Sequence, residues 1–124
     1  MKILIETIPH YDQRYDTCGD WQFNAEGNLH IKVSEMGDWR FNFLIARHEL
    51  DEAMLCKLHN ITQEQVDEYD NKHPNEAGSD DFSDNFDALY YNQHCDALAA
   101  EWIMSRLLYV DWKEYTKKLE KLGD

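Results

Sequence analysis

Arg47-His48-Glu49-Leu50-Asp51-Glu52-Ala53 sets an imidazole and three carboxylates into the middle of a run that is otherwise largely apolar. That run extends from Trp39 to His59. Phe41, Phe43, Leu44, Ile45, Ala46, Leu50, Ala53, Met54, Leu55, Cys56 and Leu58 lie on nearly every side of it, as in a helix largely buried within a domain. His48 and Glu52 are one helical turn apart, so they project from one face, in line with Leu44, Ile45, Leu55 and Cys56. Placing a carboxylate there costs on the order of several kcal/mol unless a partner or a metal compensates. His48 and Glu52 are therefore the first candidate site residues.

Working outward, Met36-Gly37-Asp38 closes a strand-rich region and sets Asp38 to cap the helix, expected over about 39–59 with Asn60 as its stop. Lys2 to Ile8 alternates with β-branched residues and ends at Pro9. Trp21-Gln22-Phe23 and Leu29 to Val33 flank Asn24-Ala25-Glu26-Gly27-Asn28, a loop of hairpin length containing Gly. A small antiparallel sheet within about 2–34 is expected to open the domain. Downstream, Thr62-Gln63-Glu64-Gln65 has capping-box spacing and predicts a helix over about 63–72, ended by His73-Pro74. An acidic loop over about 73–86 follows, to be read as a solvated connection or as a lid over the site. Ala- and Leu-rich sequence then predicts a helix over about 87–108. Asp111 caps a last helix over about 111–122, with Lys117, Lys118 and Lys121 toward its C-terminal end. The expected architecture is a single α+β domain: a small N-terminal antiparallel sheet, then a bundle of about four helices around a long buried central one.

A chain of 124 residues buries a real core without staples, and its aromatic content argues for a folded globule rather than a disordered acidic chain. The net charge of -13 disfavours direct binding to nucleic acid or to anionic membrane, since both need a basic patch. Cys18, Cys56 and Cys95 are odd in number and show no CxxC spacing, which suits a reducing compartment, here expected to be the cytoplasm. The apolar run is broken by Arg40, Asn42, Arg47, His48 and Glu49, far short of the roughly 18 uninterrupted apolar residues of a membrane span.

The His48-Glu49-Leu50-Asp51-Glu52 step resembles the metal-binding helix of zincin metallopeptidases, with Glu52 where those enzymes carry a second His. The physical logic carries over. Two residues one turn apart can hold one ion, and the adjacent Glu49 can reach a metal-bound water as general base. A third ligand is available from the later helix, where His94 and Glu101 share a face two turns apart with the small Ala97 between them. His48, Glu52 and His94 then supply two imidazoles and a carboxylate, the donor set of a catalytic zinc site with its fourth position open. Glu101 would orient a ligand or replace one, Cys56 is a possible soft ligand, and Tyr90 could stabilise an oxyanion or simply pack. Trp21, Trp39, Trp102 and Trp112 read as core.

Taken together, His48-Glu49-Leu50-x-Glu52-Ala53 with Cys56, Val66-Asp67-x-x-Asp70, His94, Val110-Asp111-Trp112-x-x-Tyr115, Thr17-Cys18-Gly19-Asp20-Trp21 and Met36-Gly37-Asp38-Trp39-Arg40 resemble a family of small uncharacterised bacteriophage and prophage proteins. The resemblance implies a phage-encoded protein of the host cytoplasm and brings no activity with it. Three functions follow as expectations. The first is a zinc hydrolase of a peptide or phosphoester. The second is a Mg²⁺-dependent enzyme, since Glu49, Glu52 and Glu101 resemble the carboxylates of all-helical nucleotide pyrophosphohydrolases. The third is a non-enzymatic acidic protein that binds and inhibits a host factor.

Overall fold

The computed structural model describes residues 1–72 and 89–123. Three strands, β1 (Ile3–Ile8), β2 (Gly19–Phe23) and β3 (Leu29–Ser34), form one sheet of order β1-β3-β2, and a short 3-10 turn (His10–Asp12) follows β1. Four helices come next: α1 (Trp39–Leu58), α2 (Gln63–Lys72), α3 (Tyr91–Leu107) and α4 (Trp112–Gly123). The α+β class and the order of elements match the sequence expectation. The acidic loop expected over about 73–86, and the first residues of the helix expected from 87, lie outside the described residues.

The β2–β3 hairpin is antiparallel, with Trp21 opposite Ile31 and Phe23 opposite Leu29. Its loop is held by Asn24, whose side-chain oxygen accepts the backbone N–H of Glu26 and of Asn28, while Gly27 takes the left-handed conformation. β1 departs from the expected pattern. It pairs in parallel with β3, Ile3 opposite Leu29 through Ile8 opposite Ser34, so the sheet is mixed rather than wholly antiparallel. β2 fills one side of β3, and β1 lies along the other, running in the same direction as β3.

Trp21, Leu29, Ile31 and Val33 alternate onto the buried face of the sheet, and α1 lies across β2 and β3 there. The α1 N-terminus is capped as expected, the Asp38 side chain accepting the Arg40 N–H at 2.9 Å. At the other end Asn60 adopts φ 58°, and the Asn60 and Ile61 N–H groups close back on the carbonyls of Lys57 and Cys56. α3 ends in the same way, with Tyr109 at φ 56° and Val110 N–H on the Ser105 carbonyl. The Thr62 capping box forms reciprocally: Gln65 N–H donates to Thr62 Oγ1, and Thr62 N–H to Gln65 Oε1.

α1 and α3 run antiparallel, for Arg40 reaches the carbonyls of Leu108 and Tyr109 while Glu52 meets His94. α3 turns His94, Ala97, Glu101 and Ser105 inward. Two expectations need correction. α1 is buried along one face only, and Trp39 (69% exposed), Phe43 and Leu58 lie open. Of the tryptophans, Trp21 is core, Trp112 is half-buried, and Trp39 and Trp102 (45% exposed) are not core. No helix among the described residues is long and apolar enough to cross a membrane.

Candidate metal centre

Three donor atoms meet where α1 faces α3. His48 Nε2 lies 3.2 Å from Glu52 Oε2 and 3.1 Å from His94 Nδ1, and His94 Nδ1 lies 3.1 Å from Glu52 Oε2. All three residues are buried. The site brings together the three residues expected from sequence as ligands, and it is built simply. One helical turn sets His48 under Glu52, and the antiparallel α3, with Ala97 giving close approach, brings His94 against both. Among the described residues this is a group of His and Glu side chains able to hold a metal ion.

The proton count makes the triangle unusual. A carboxylate only accepts, so hydrogen bonding at Glu52 Oε2 requires a proton on His48 Nε2, on His94 Nδ1, or on both. If both rings donate to Glu52, their two N–H groups oppose each other at 3.1 Å; if only one ring carries the proton, the other turns a lone pair toward the carboxylate. With Glu52 ionised, no placement of one proton per ring nitrogen makes all three contacts two-centre hydrogen bonds. A single cation would satisfy them together, since all three atoms could then present lone pairs. The observed separations are close to the edge of about 3.3 Å that tetrahedral Zn²⁺ bonds of about 2.0–2.1 Å imply.

Behind the triangle, His48 and Glu52 are each held by a further side chain. His48 Nδ1 stands 2.7 Å from Glu101 Oε1 and must carry the proton that it donates, which leaves Nε2 to face Glu52 and His94. The other Glu101 oxygen accepts the hydroxyl of the fully buried Tyr115. On the far side, Trp21 Nε1–H donates to Glu52 Oε1 at 3.2 Å. Glu101 thus acts through His48. Trp21 and Tyr115 were read from sequence as core or not singled out as site residues. The available signal was that a buried Trp N–H or Tyr O–H must find an acceptor.

Electrostatics tie the charged forms of His48 and Glu52 together. Burial opposes charge on His48, but hydrogen bonds to Glu101 and Glu52 and the charges of both carboxylates outweigh it and hold the imidazolium well above its ordinary range. Burial would likewise raise the Glu52 carboxyl, yet the hydrogen bonds and charges of His48 and His94 bring it down to about 2. Tyr115 is pushed far up by burial and by the Glu101 charge, so its hydroxyl remains a donor.

The remaining candidates are placed as follows. Glu49 is buried on the β2 side of α1, and with Glu52 it borders a cleft of about 30 Å³ lined also by Arg14, Asp20, Asp67, Asp70 and Tyr90. A Cβ at Gly19 would lie 2.6 Å from Glu49 Oε1 and 2.7 Å from Glu49 Cγ, so the absent side chain at Gly19 is what admits Glu49. Cys56 stands outside the donor group, and burial followed by the charges of Glu52 and Glu49 pushes its thiol up to about 12, so it offers no thiolate. Tyr90 also stands outside it; its hydroxyl donates to Asp70 at 2.6 Å. His59 is exposed, His10 bonds Ser34 and Asp16, and His30 pairs with Glu6. All three cysteines are free thiols.

No protein-family model, curated protein or solved structure matches this chain.

Proposed function

We propose that the protein is a metal-dependent hydrolase in which His48, Glu52 and His94 hold one zinc ion and Glu49 activates its water. The observation that carries this reading is the three-way contact at 3.1–3.2 Å, which one cation would satisfy at all three atoms together. Two imidazoles and one carboxylate are the donor set of catalytic zinc, with a fourth position left for water. Such an ion would supply a hydroxide near neutral pH by lowering the pKa of that water. Glu49 borders the same cleft as Glu52, which supports the reading in which its carboxylate would take the water's proton.

The substrate is a peptide or a phosphoester. The nucleotide pyrophosphohydrolase reading has less support, because two of the three donors that meet are imidazoles, whereas Mg²⁺ takes oxygen ligands. Among the described residues, Asp20, Glu49, Glu52, Asp67 and Asp70 line the cleft, and Arg14 there is engaged by Asp20 at 2.6 Å and Asp67 at 3.0 Å. Any phosphate substrate would need a cation to offset these charges. The net charge of -13 favours a second reading, a phage-encoded acidic protein of the host cytoplasm that binds a host factor, with the buried cluster held only by protons.

Metal analysis of protein purified without an affinity tag, paired with peptide and phosphoester hydrolysis before and after chelation, separates these readings. Tightly held zinc with chelator-sensitive hydrolysis is the expected outcome. Protein that takes up no metal and hydrolyses neither substrate class would leave the host-factor reading standing in its place.

A further inference from the structure

The two edges of the sheet are treated differently. At β2, the Gln63 side chain acts as a substitute peptide, its Oε1 accepting the Phe23 N–H at 2.5 Å and its Nε2 donating to the Trp21 carbonyl at 3.2 Å. At β1, no strand among the described residues pairs with the outer edge. Ile3, Leu4 and Ile5 are 47%, 54% and 45% exposed there, because α1 covers β2 and β3 but stops short of β1. An open apolar edge of this kind templates pairing with another strand.

We infer that this edge is the interface of a homodimer, in which β1 pairs antiparallel with β1 of a second copy to make one continuous six-stranded sheet. Backbone parity and charge together select the register. Lys2 turns both its N–H, donated to Asn28 Oδ1, and its carbonyl, which accepts Leu29 N–H, toward β3, and the Ile8 carbonyl likewise accepts Glu35 N–H. Even-numbered residues of β1 therefore bond inward, and Ile3, Ile5 and Thr7 present their backbone groups outward. A symmetric antiparallel pair must then match odd with odd and even with even.

Of the registers this permits, one also matches the side chains. Ile3 faces Ile5 of the second copy, Leu4 faces its own counterpart on the two-fold axis, and Lys2 faces Glu6 twice. Shifting the pairing by one step each way puts Lys2 opposite Leu4 or Ile8 instead. Glu6 already pairs with His30 through Oε1, and a carboxylate accepts more than one donor, so the Lys2 contact does not displace it.

The test is sedimentation equilibrium of the full chain together with cysteine crosslinking. A concentration-dependent dimer is expected. Lys2→Glu, an exposed change, is expected to weaken it about tenfold by setting like charges opposite at two places. Lys2→Glu combined with Glu6→Lys restores it. Leu4→Cys is expected to form a disulfide-linked dimer under mild oxidation, because opposed residues without mutual hydrogen bonds bring their Cα atoms to about 4.5 Å, within disulfide range. The native thiols in the unmodified chain serve as control. A chain that stays monomeric at all attainable concentrations overturns the inference. So does a dimer indifferent to Lys2→Glu, or one that crosslinks through Ile3→Cys or Ile5→Cys in preference to Leu4→Cys.

Discussion

His48 and Glu101, 53 positions apart in sequence, meet through Nδ1 and Oε1 at 2.7 Å, and this contact fixes which nitrogen of His48 is offered to the site. Replacing the carboxylate by an amide lets the side chain turn its NH₂ toward Nδ1 and removes that control. Glu101→Gln is expected to lower metal affinity about 10–100-fold with the fold retained. Competition with a chromophoric chelator measures the affinity, and unchanged binding would mean that Glu101 does not orient the ligand.

Tyr115→Phe removes the hydroxyl that Glu101 accepts and leaves a buried carboxylate oxygen without its donor. A loss of about 1–3 kcal/mol in folding stability is expected, since the unmet acceptor carries the desolvation penalty. Urea denaturation of the metal-free protein reads it directly. A change below about 0.5 kcal/mol would place the hydroxyl's contribution at the level of an ordinary surface substitution.

The pH dependence has two limbs in the metal-free protein. Glu52 titrates at about 2 in the fold against 4.5 ordinarily, so its contribution is present above 4.5 and is lost as pH falls toward 2. His48 titrates well above 6.5, so its contribution is complete below 6.5 and is lost as pH rises through the raised value. Stability from this pair is therefore expected to be greatest between 4.5 and 6.5. Metal binding would displace the His48 proton, so zinc affinity is expected to rise with pH where metal-free stability falls. Chelator-treated and zinc-loaded samples, denatured across both limbs, should diverge on the alkaline side; parallel curves would contradict proton-for-metal exchange.

Gly19 and Glu49 occupy the same space. Gly19→Ala would bring Cβ to 2.7 Å from both Glu49 Cγ and Ile45 Cγ2, and neither is the free end of a long side chain. A destabilisation of about 1–3 kcal/mol is expected from overpacking between β2 and α1. Thermal denaturation measures it, and hydrolysis should fall further than stability if Glu49 is the base. At the C-terminal end of α3, Tyr109 is exposed at φ 56°, and Tyr109→Gly is expected to stabilise by roughly 0.5–1 kcal/mol, since glycine alone adopts this conformation without strain.

Much of the site was legible because it is made of helix faces. His48 with Glu52, and His94 with Glu101, follow from 3.6-residue periodicity alone, and the cap at Asp38 fixes where α1 begins, as Thr62 and Asp111 do for α2 and α4. What periodicity does not carry is partnership across the chain. The parallel seating of β1, the Trp21 bond to Glu52 and the Tyr115 bond to Glu101 all join residues from separate elements. A buried aromatic looks like core until its polar atom is traced to an acceptor. Trp39 and Trp102 show the converse: on a long helix, apolar residues beyond the inward stripe remain in solvent.

The most direct test is the metal stoichiometry of tag-free protein after zinc loading and gel filtration, for the unmodified chain and for the double variant His48→Ala, His94→Ala. One ion per chain in the first and none in a folded second is the expected result. An unmodified chain that retains no ion, or a double variant that retains as much as the parent, would contradict a cation held by His48, Glu52 and His94.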